Sequence, residues 1–324
     1  MGNVLVTGAA GQIGSELVVE LRRRHSGQTV VAADLSTKLP PGVQEQGPNI
    51  TMDVTDGAQI IRVFEEHGVD TVYHLAGILS ATGEQEPRLA WNTNIGGLYN
   101  VLEAARTRGA RVFWPSSISV FGPDSPRVNT PQSAVMIPST IYGASKVAGE
   151  LLCNYYYHRF GVDVRSVRYP GIVSSETLPG GGTTDYAARM YFEAIERGQY
   201  TCFVRRDTTL PMMYMPDAIK AAFCIMDAES GRVTIRTAYN LTAMSFSAGE
   251  LAEEIRKHIP NFNCTFEPDF RQAIADSWPV SIDDSLARAH WGWNPDYDLS
   301  SMTTDILRVL GENRKVTKDR EGLA

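Results

Sequence analysis

The chain opens NVLVTGAAGQIG, a β-branched run that passes directly into a loop with glycines at 8, 11 and 14. A strand that enters such a loop and leaves as a helix must turn within a few residues, and this restricts the fold to parallel βαβ units more tightly than any other feature. Gly8 and Gly11 are expected to bring backbone close to a pyrophosphate, in geometries that a Cβ resists, and Gly14 to let the helix pack on the sheet. The free amides at the helix start then face the phosphates. Asp34 closes the second β-rich run 20 residues after Gly14, where a carboxylate accepts hydrogen bonds from an adenosine ribose or serves a turn. Its charge repels a 2′-phosphate, so the expected cofactor is NAD rather than NADP. Asp53, ending the third run, is read either as a partner for the adenine amino group or as a helix cap.

The alternation continues. Strands are expected at Asn3 to Thr7, Thr29 to Ala33, Ile50 to Asp53, Thr71 to Leu75, Arg111 to Ser116 and Asp163 to Tyr169, with helices at Gln12 to Arg24, Gln59 to His67, Leu89 to Arg108 and Ile141 to Phe160. That order predicts an α/β, Rossmann-type doubly wound parallel sheet. The 324 residues, 43% of them hydrophobic, suffice for such a core and leave room for a smaller lobe. Residues 1–175 read as the nucleotide-binding domain, to which some later segments return, and 176–311 mainly as a substrate-binding lobe. LPGGGTT, Leu178 to Thr184, reads as a substrate loop feeding a helix at Asp185. The polar stretch 312–324 is expected to be a disordered tail.

A formal net charge of −7 argues against nucleic acid or an anionic membrane as partner and for a small-molecule substrate. There is no run of ~18 apolar residues and no leader pattern, so a cytoplasmic protein is expected. Cys153, Cys202, Cys224 and Cys264 stand far apart, which predicts reduced thiols and no metal.

Tyr142 and Lys146 lie four apart on one face of the expected helix, and Ser117 ends the preceding strand. Oxidising an alcohol needs a base near neutral pH, whereas a free phenol titrates at ~10. An ammonium beside the ring favours the phenolate. Lys146 fits that role, Tyr142 that of the base, and Ser117 that of the group holding the substrate oxygen.

The glycine turn, Asp34, HLAG at His74 to Gly77, Asn94, Ser117, Tyr142, Lys146 and YPGIVS from Tyr169 together resemble the extended short-chain dehydrogenases/reductases, over nearly the whole chain. The resemblance implies that Gln12, Ile13, Val54, Leu75, Ala76 and Gly77 join the cofactor contacts, and that Lys146 reaches the nicotinamide ribose. It places Tyr169, Pro170 and Ile172 against the nicotinamide, Asn94 where it holds the active-site helix, and His74 inside a strand. It also implies a homodimer through the helices Leu89 to Arg108 and Ile141 to Phe160.

Many extended members carry RDYxHVxD, whose arginine holds a pyrophosphate. Here the matching segment is LPMMYMPD, ending at Asp217, with Leu210 at the arginine position. Loss of that cation argues for a smaller ligand, with Arg271 as a candidate substitute. PSSISVFGP, PSTIYGASKVAGE, LPGGGTTDYA and SWPVSIDDS resemble the short-chain, UDP-galactose 4-epimerase-like L-threonine 3-dehydrogenases, which implies L-threonine as substrate, oxidised to 2-amino-3-oxobutanoate. Thr183, Thr184 and nearby loop amides then either bind its carboxylate or cap a helix. Ser80 is a substrate contact or an ordinary loop serine, and Trp278 covers the threonine methyl or packs in the core. The sequence names no partner for the ammonium. A nucleotide-sugar 4-epimerase or dehydratase is the alternative enzyme, and a non-catalytic NAD sensor a third reading, which the intact Ser117, Tyr142 and Lys146 disfavour.

Overall fold

The computed structural model describes residues 2–25, 29–178 and 180–321, with side chains as far as Glu312. The first half runs β1 (Asn3–Thr7), α1 (Gln12–Arg24), β2 (Val30–Asp34), α2 (Pro41–Gln44), β3 (Asn49–Thr51), α3 (Gly57–Glu66) and β4 (Val69–His74). It continues with α4 (Ser80–Gln85), α5 (Pro87–Trp91), a π-helical turn at Asn92–Gly96, α6 (Gly97–Arg108), β5 (Arg111–Ser117), α7 (Ile141–Phe160) and β6 (Val164–Tyr169). Then come β7 (Gly171–Val173), α8 (Asp185–Glu196), β8 (Gln199–Cys202), β9 (Thr209–Tyr214), α9 (Met215–Asp227), β10 (Tyr239–Asn240) and β11 (Met244–Ser247). The chain closes with α10 (Ala248–His258), β12 (Asn263–Phe266), α11 (Arg271–Asp276), α12 (Ser285–Trp291) and α13 (Leu299–Glu321).

The main sheet has seven parallel strands in the order β10-β6-β5-β4-β1-β2-β3. The central strands β1 and β2 are largely apolar on both faces because helices cover both. Alternate residues divide accordingly: Val4, Val6 and Val30 meet Leu17 and Leu21 of α1 and Ala218 of α9 on one face. Leu5, Val31 and Val112 meet Phe64 of α3, Leu102 of α6 and Cys153 of α7 on the other. This is a Rossmann-type α/β fold. Two small sheets, β11-β9-β7 and β12-β8, flank a third core in which Tyr186, Tyr191, Leu251, Ile255, Met302 and Ile306 are buried. β10 pairs with β6, and Trp291 of α12 packs on the main sheet, so segments far along the chain return to it.

Three expectations need correction. β3 ends at Thr51, which leaves Asp53 two residues beyond the strand. The helix expected from Leu89 to Arg108 is α5 and α6 joined by the π turn, inside which Asn94 bonds to neighbouring elements; such a turn re-aims a side chain. The final helix runs on to Glu321 where a tail was expected from 312, because Leu310 is still buried and the following Glu, Arg and Lys are strong helix formers; residues 322–324 lie outside the described residues.

Candidate active site

The ends of β1, β4, β5 and β6 open on one cavity of about 220 Å³, beside β1 and β4, where the strand order reverses. Its wall includes Gly8, Gly11, Gln12, Ile13, Leu75, Gly77, Ser80, Ser117, Tyr142 and Lys146. Tyr169, Pro170, Ile172, Thr183, Thr184 and Trp278 complete the set expected from sequence that line it. Asp34, Asp53, Val54, Ala76 and Asn94 lie outside that wall.

Gly8 has φ +73°, and a Cβ there would stand 2.6 Å from the Ala76 amide nitrogen, so both conformation and space require glycine. A Cβ on Gly14 would meet the Gly8 carbonyl oxygen at 2.0 Å; this glycine closes the turn itself, a correction to the helix-on-sheet role. Asp34 braces the same turn, since its Oδ2 accepts from the Ala10 amide at 2.8 Å and its Oδ1 from Ser36 at 2.8 Å. The Gln12 side-chain nitrogen is buried without a partner among the described residues. A buried donor of this kind calls for an acceptor, and the phosphates of a dinucleotide fit the place and the chemistry.

Asp53 Oδ1 accepts from the amide and the hydroxyl of Thr55, each at 2.8 Å, while Asp56 is the residue that caps α3. Val54 packs against Gly97 and its carbonyl accepts from Asn100. Asn94 clasps the backbone of Ile78 at both ends and donates to Ser145 Oγ of α7 at 3.2 Å, tying the loop after β4 to the helix that carries Tyr142.

α7 begins where Thr140 accepts a hydrogen bond from the Gly143 amide at 3.0 Å. Lys146 Nζ lies 4.5 Å from the centroid of the Trp114 ring and 5.5 Å from that of Tyr142. Burial pushes the Lys146 ammonium down to about 8, against the pull of Cys153 and Glu150. Burial also pushes the Tyr142 phenol up to about 12, while its hydrogen bond with Ser117 pulls it down. Desolvation thus outweighs the pull of Ser117, and the phenol needs more than that one hydrogen bond to ionise near neutral pH. Below them Glu150, fully buried, accepts from Ser116 Oγ at 2.6 Å and from both arms of Arg168 at 2.8 Å, fixing the end of β5. His74, 1% exposed, bonds to Thr7 Oγ1 at 2.7 Å and is held neutral by burial and by Lys146.

Across the cavity, Thr183 Oγ1 and Ser80 Oγ lie 3.0 Å apart and the Thr183 amide donates to Ser80. Thr184 occupies the cap position of α8, yet its hydroxyl makes no capping bond. The amides of Gly181 and Gly182, expected to face a carboxylate, donate instead to Asp185 Oδ2 at 2.9 Å each. Pro179 of this loop lies outside the described residues. Trp278, 5% exposed, both lines the cavity and belongs to the lobe core. Leu210 is wholly buried in that core, and Arg271 is paired with Asp269 and stacked 3.2 Å above the Phe203 ring centroid, so it is no free substitute for the missing arginine. Sequence reasoning missed Asp185 as a wall residue; its only signal was its place as first helical residue after the glycines.

The four cysteines are free. Among the described residues no His, Cys, Asp and Glu cluster could hold a metal ion, and no helix is long and apolar enough to cross a membrane.

The model of the NAD dependent epimerase/dehydratase family matches residues 4–241. An uncharacterized epimerase/dehydratase of Staphylococcus haemolyticus is 47% identical over 316 residues, covering 97% of this chain and 99% of that protein. The GalE-like L-threonine dehydrogenase of Cupriavidus necator, in its holo form, superposes with a TM-score of 0.92 at 49% identity, covering 95% of this chain and 99% of that one. The L-threonine dehydrogenase of Clostridium difficile superposes at 0.94 with 46% identity, covering 97% and 98%.

Proposed function

The chain belongs to the NAD dependent epimerase/dehydratase family, and on that premise we propose that it oxidises L-threonine at C3 to 2-amino-3-oxobutanoate. One observation carries the reading: the chain is like solved L-threonine dehydrogenases over almost its whole length, at close to half identity. The buried Leu210 agrees, because a nucleotide sugar needs cationic donors for its pyrophosphate.

In this reading Ser117 donates a hydrogen bond to the C3 oxygen and Tyr142 takes the hydroxyl proton as C3 gives up its hydride. When bound, NAD supplies the hydride acceptor and a positive charge beside the phenol. Gly8, Gly11 and Gln12 would hold its pyrophosphate, and Lys146 its nicotinamide ribose. Lys146 also contributes a cation to the phenolate, and with the ring so deeply buried both charges are needed to bring Tyr142 into range. The Ser80, Thr183 and Thr184 hydroxyls are the donors left for the substrate carboxylate, since the glycine amides are already committed.

The test is NADH formation, followed by absorbance, across amino acids and UDP-sugars. A signal with L-threonine supports the proposal. Tight UDP-glucose binding with no response to threonine replaces it with the epimerase reading.

A further inference from the structure

The cavity wall contains one carboxylate among the described residues, Asp185, at the first position of α8. It is 8% exposed and forms no ion pair with any described residue. Arg189 and Arg271 act on it only from a distance, and Arg271 is already engaged by Asp269. Its Oδ2 accepts from the two glycine amides, which fixes the carboxylate plane; Oδ1 accepts from no described residue. An enclosed carboxylate without a counter-ion is costly to keep, and the cheapest remedy is a cation delivered by what binds in the cavity. The one basic side chain in the wall, Lys146, is held by the Pro115 carbonyl in the catalytic group.

We propose that Asp185 Oδ1 accepts the ammonium of the substrate, so that this residue selects 2-amino-3-hydroxy acids over 3-hydroxy acids without nitrogen. The assignment rests on the dehydrogenase reading above and supplies the contact that the sequence left unnamed. It also gives the segment before α8 a single logic: the glycine amides orient the carboxylate, and the carboxylate orients the amino acid.

Asp185→Asn is the sharpest variant, because its carbonyl oxygen still accepts from Gly181 and Gly182 while an NH2 group replaces Oδ1, the oxygen without a partner among the described residues. L-threonine is compared with (R)-3-hydroxybutanoate, the same molecule without its amino group, read as a substrate or as an inhibitor constant against threonine. Expected in Asp185→Asn is a fall of roughly 10–100-fold in kcat/KM for threonine, mostly in KM, with the constant for 3-hydroxybutanoate within about threefold of wild type. Equal losses on both compounds, or threonine kinetics within about threefold of wild type, overturn the role of Asp185 and leave the dehydrogenase reading standing. A wild-type protein that does not oxidise threonine overturns both. Wild type also supplies an arm that needs no variant: threonine should be preferred over 3-hydroxybutanoate by at least about tenfold, and equal binding of the two overturns the assignment.

Discussion

Lys146 Nζ donates a 2.6 Å hydrogen bond to the carbonyl oxygen of Pro115, tying the helix that carries Tyr142 to the strand that ends in Ser117. The three groups from two distant stretches of chain are thereby held as one unit, which rotamer freedom in a long lysine would otherwise undo.

Tyr142→Phe should leave NAD binding nearly intact while kcat falls by roughly 10²–10⁴, the usual worth of a positioned acid or base. For oxidation the phenolate is the active form, so activity climbs as pH rises. Lys146→Met removes a cation that favours the phenolate, and the rising limb of the kcat profile should move to higher pH. An unmoved limb separates Lys146 from the phenol.

Asp34 offers a second prediction because it braces the glycine turn as well as being the residue proposed for the adenosine ribose. Asp34→Ala should narrow the preference for NAD over NADP and also weaken NAD itself by roughly tenfold, as the Ala10 amide loses its acceptor. Asp34→Asn keeps that acceptor and should narrow the preference with less loss. Fluorescence titrations with both cofactors measure this, and unchanged constants in Asp34→Ala would contradict it.

Trp278 sits in the lobe core as well as in the cavity wall, so Trp278→Ala would cost about 3–5 kcal/mol of stability and blur any kinetic reading. Trp278→Phe is the better probe. If the indole covers the substrate methyl, the threonine-to-serine ratio of kcat/KM should shrink by several-fold, within the ~1–3 kcal/mol that one methyl contact is worth. A ratio equal to that of wild type removes Trp278 from specificity.

Glu16 of α1 accepts from Ser174 Oγ at 2.5 Å beside a hollow of about 720 Å³ between α1, α2 and α9. Burial, with the charge of Glu176 adding to it, pushes its carboxyl up to about 7. An acid raised in the folded state destabilises the fold once ionised: the penalty is absent below about pH 4.5, grows as pH rises and is complete above about 7. Glu16→Gln should therefore be more stable than wild type at pH 8, by about 1–3 kcal/mol, and equal to it near pH 4.5. Denaturation curves at the two pH values decide it, and equal stability at pH 8 counts against the raised carboxyl.

Tyr99 of α6 and Leu151 and Tyr155 of α7 are about half exposed, an outward apolar face of the kind that partners cover. We expect a homodimer through these helices. Light scattering after size exclusion should find a dimer for wild type and a monomer for Leu151→Glu; a monomeric wild type ends the idea.

The sequence by itself determined the Rossmann-type sheet, the glycine turn and the Ser117, Tyr142 and Lys146 set, because each rests on local rules: strand alternation, helical spacing and the turn that only glycine can make. α1 and α7 begin and end where the periodicity places them. What tertiary structure alone decided are the relations between residues far apart in the chain. Periodicity could not show that Asn94 would turn from a helix to hold Ile78 and Ser145, since a π turn is set by the packing it meets. Nor could it show that the glycine amides would be claimed by Asp185, or that Leu210 and Trp278 would share one core. The phenol of Tyr142 makes the same point: spacing puts Lys146 beside it, but the direction of its shift depends on how much water the fold removes, and desolvation is a property of the whole packed molecule.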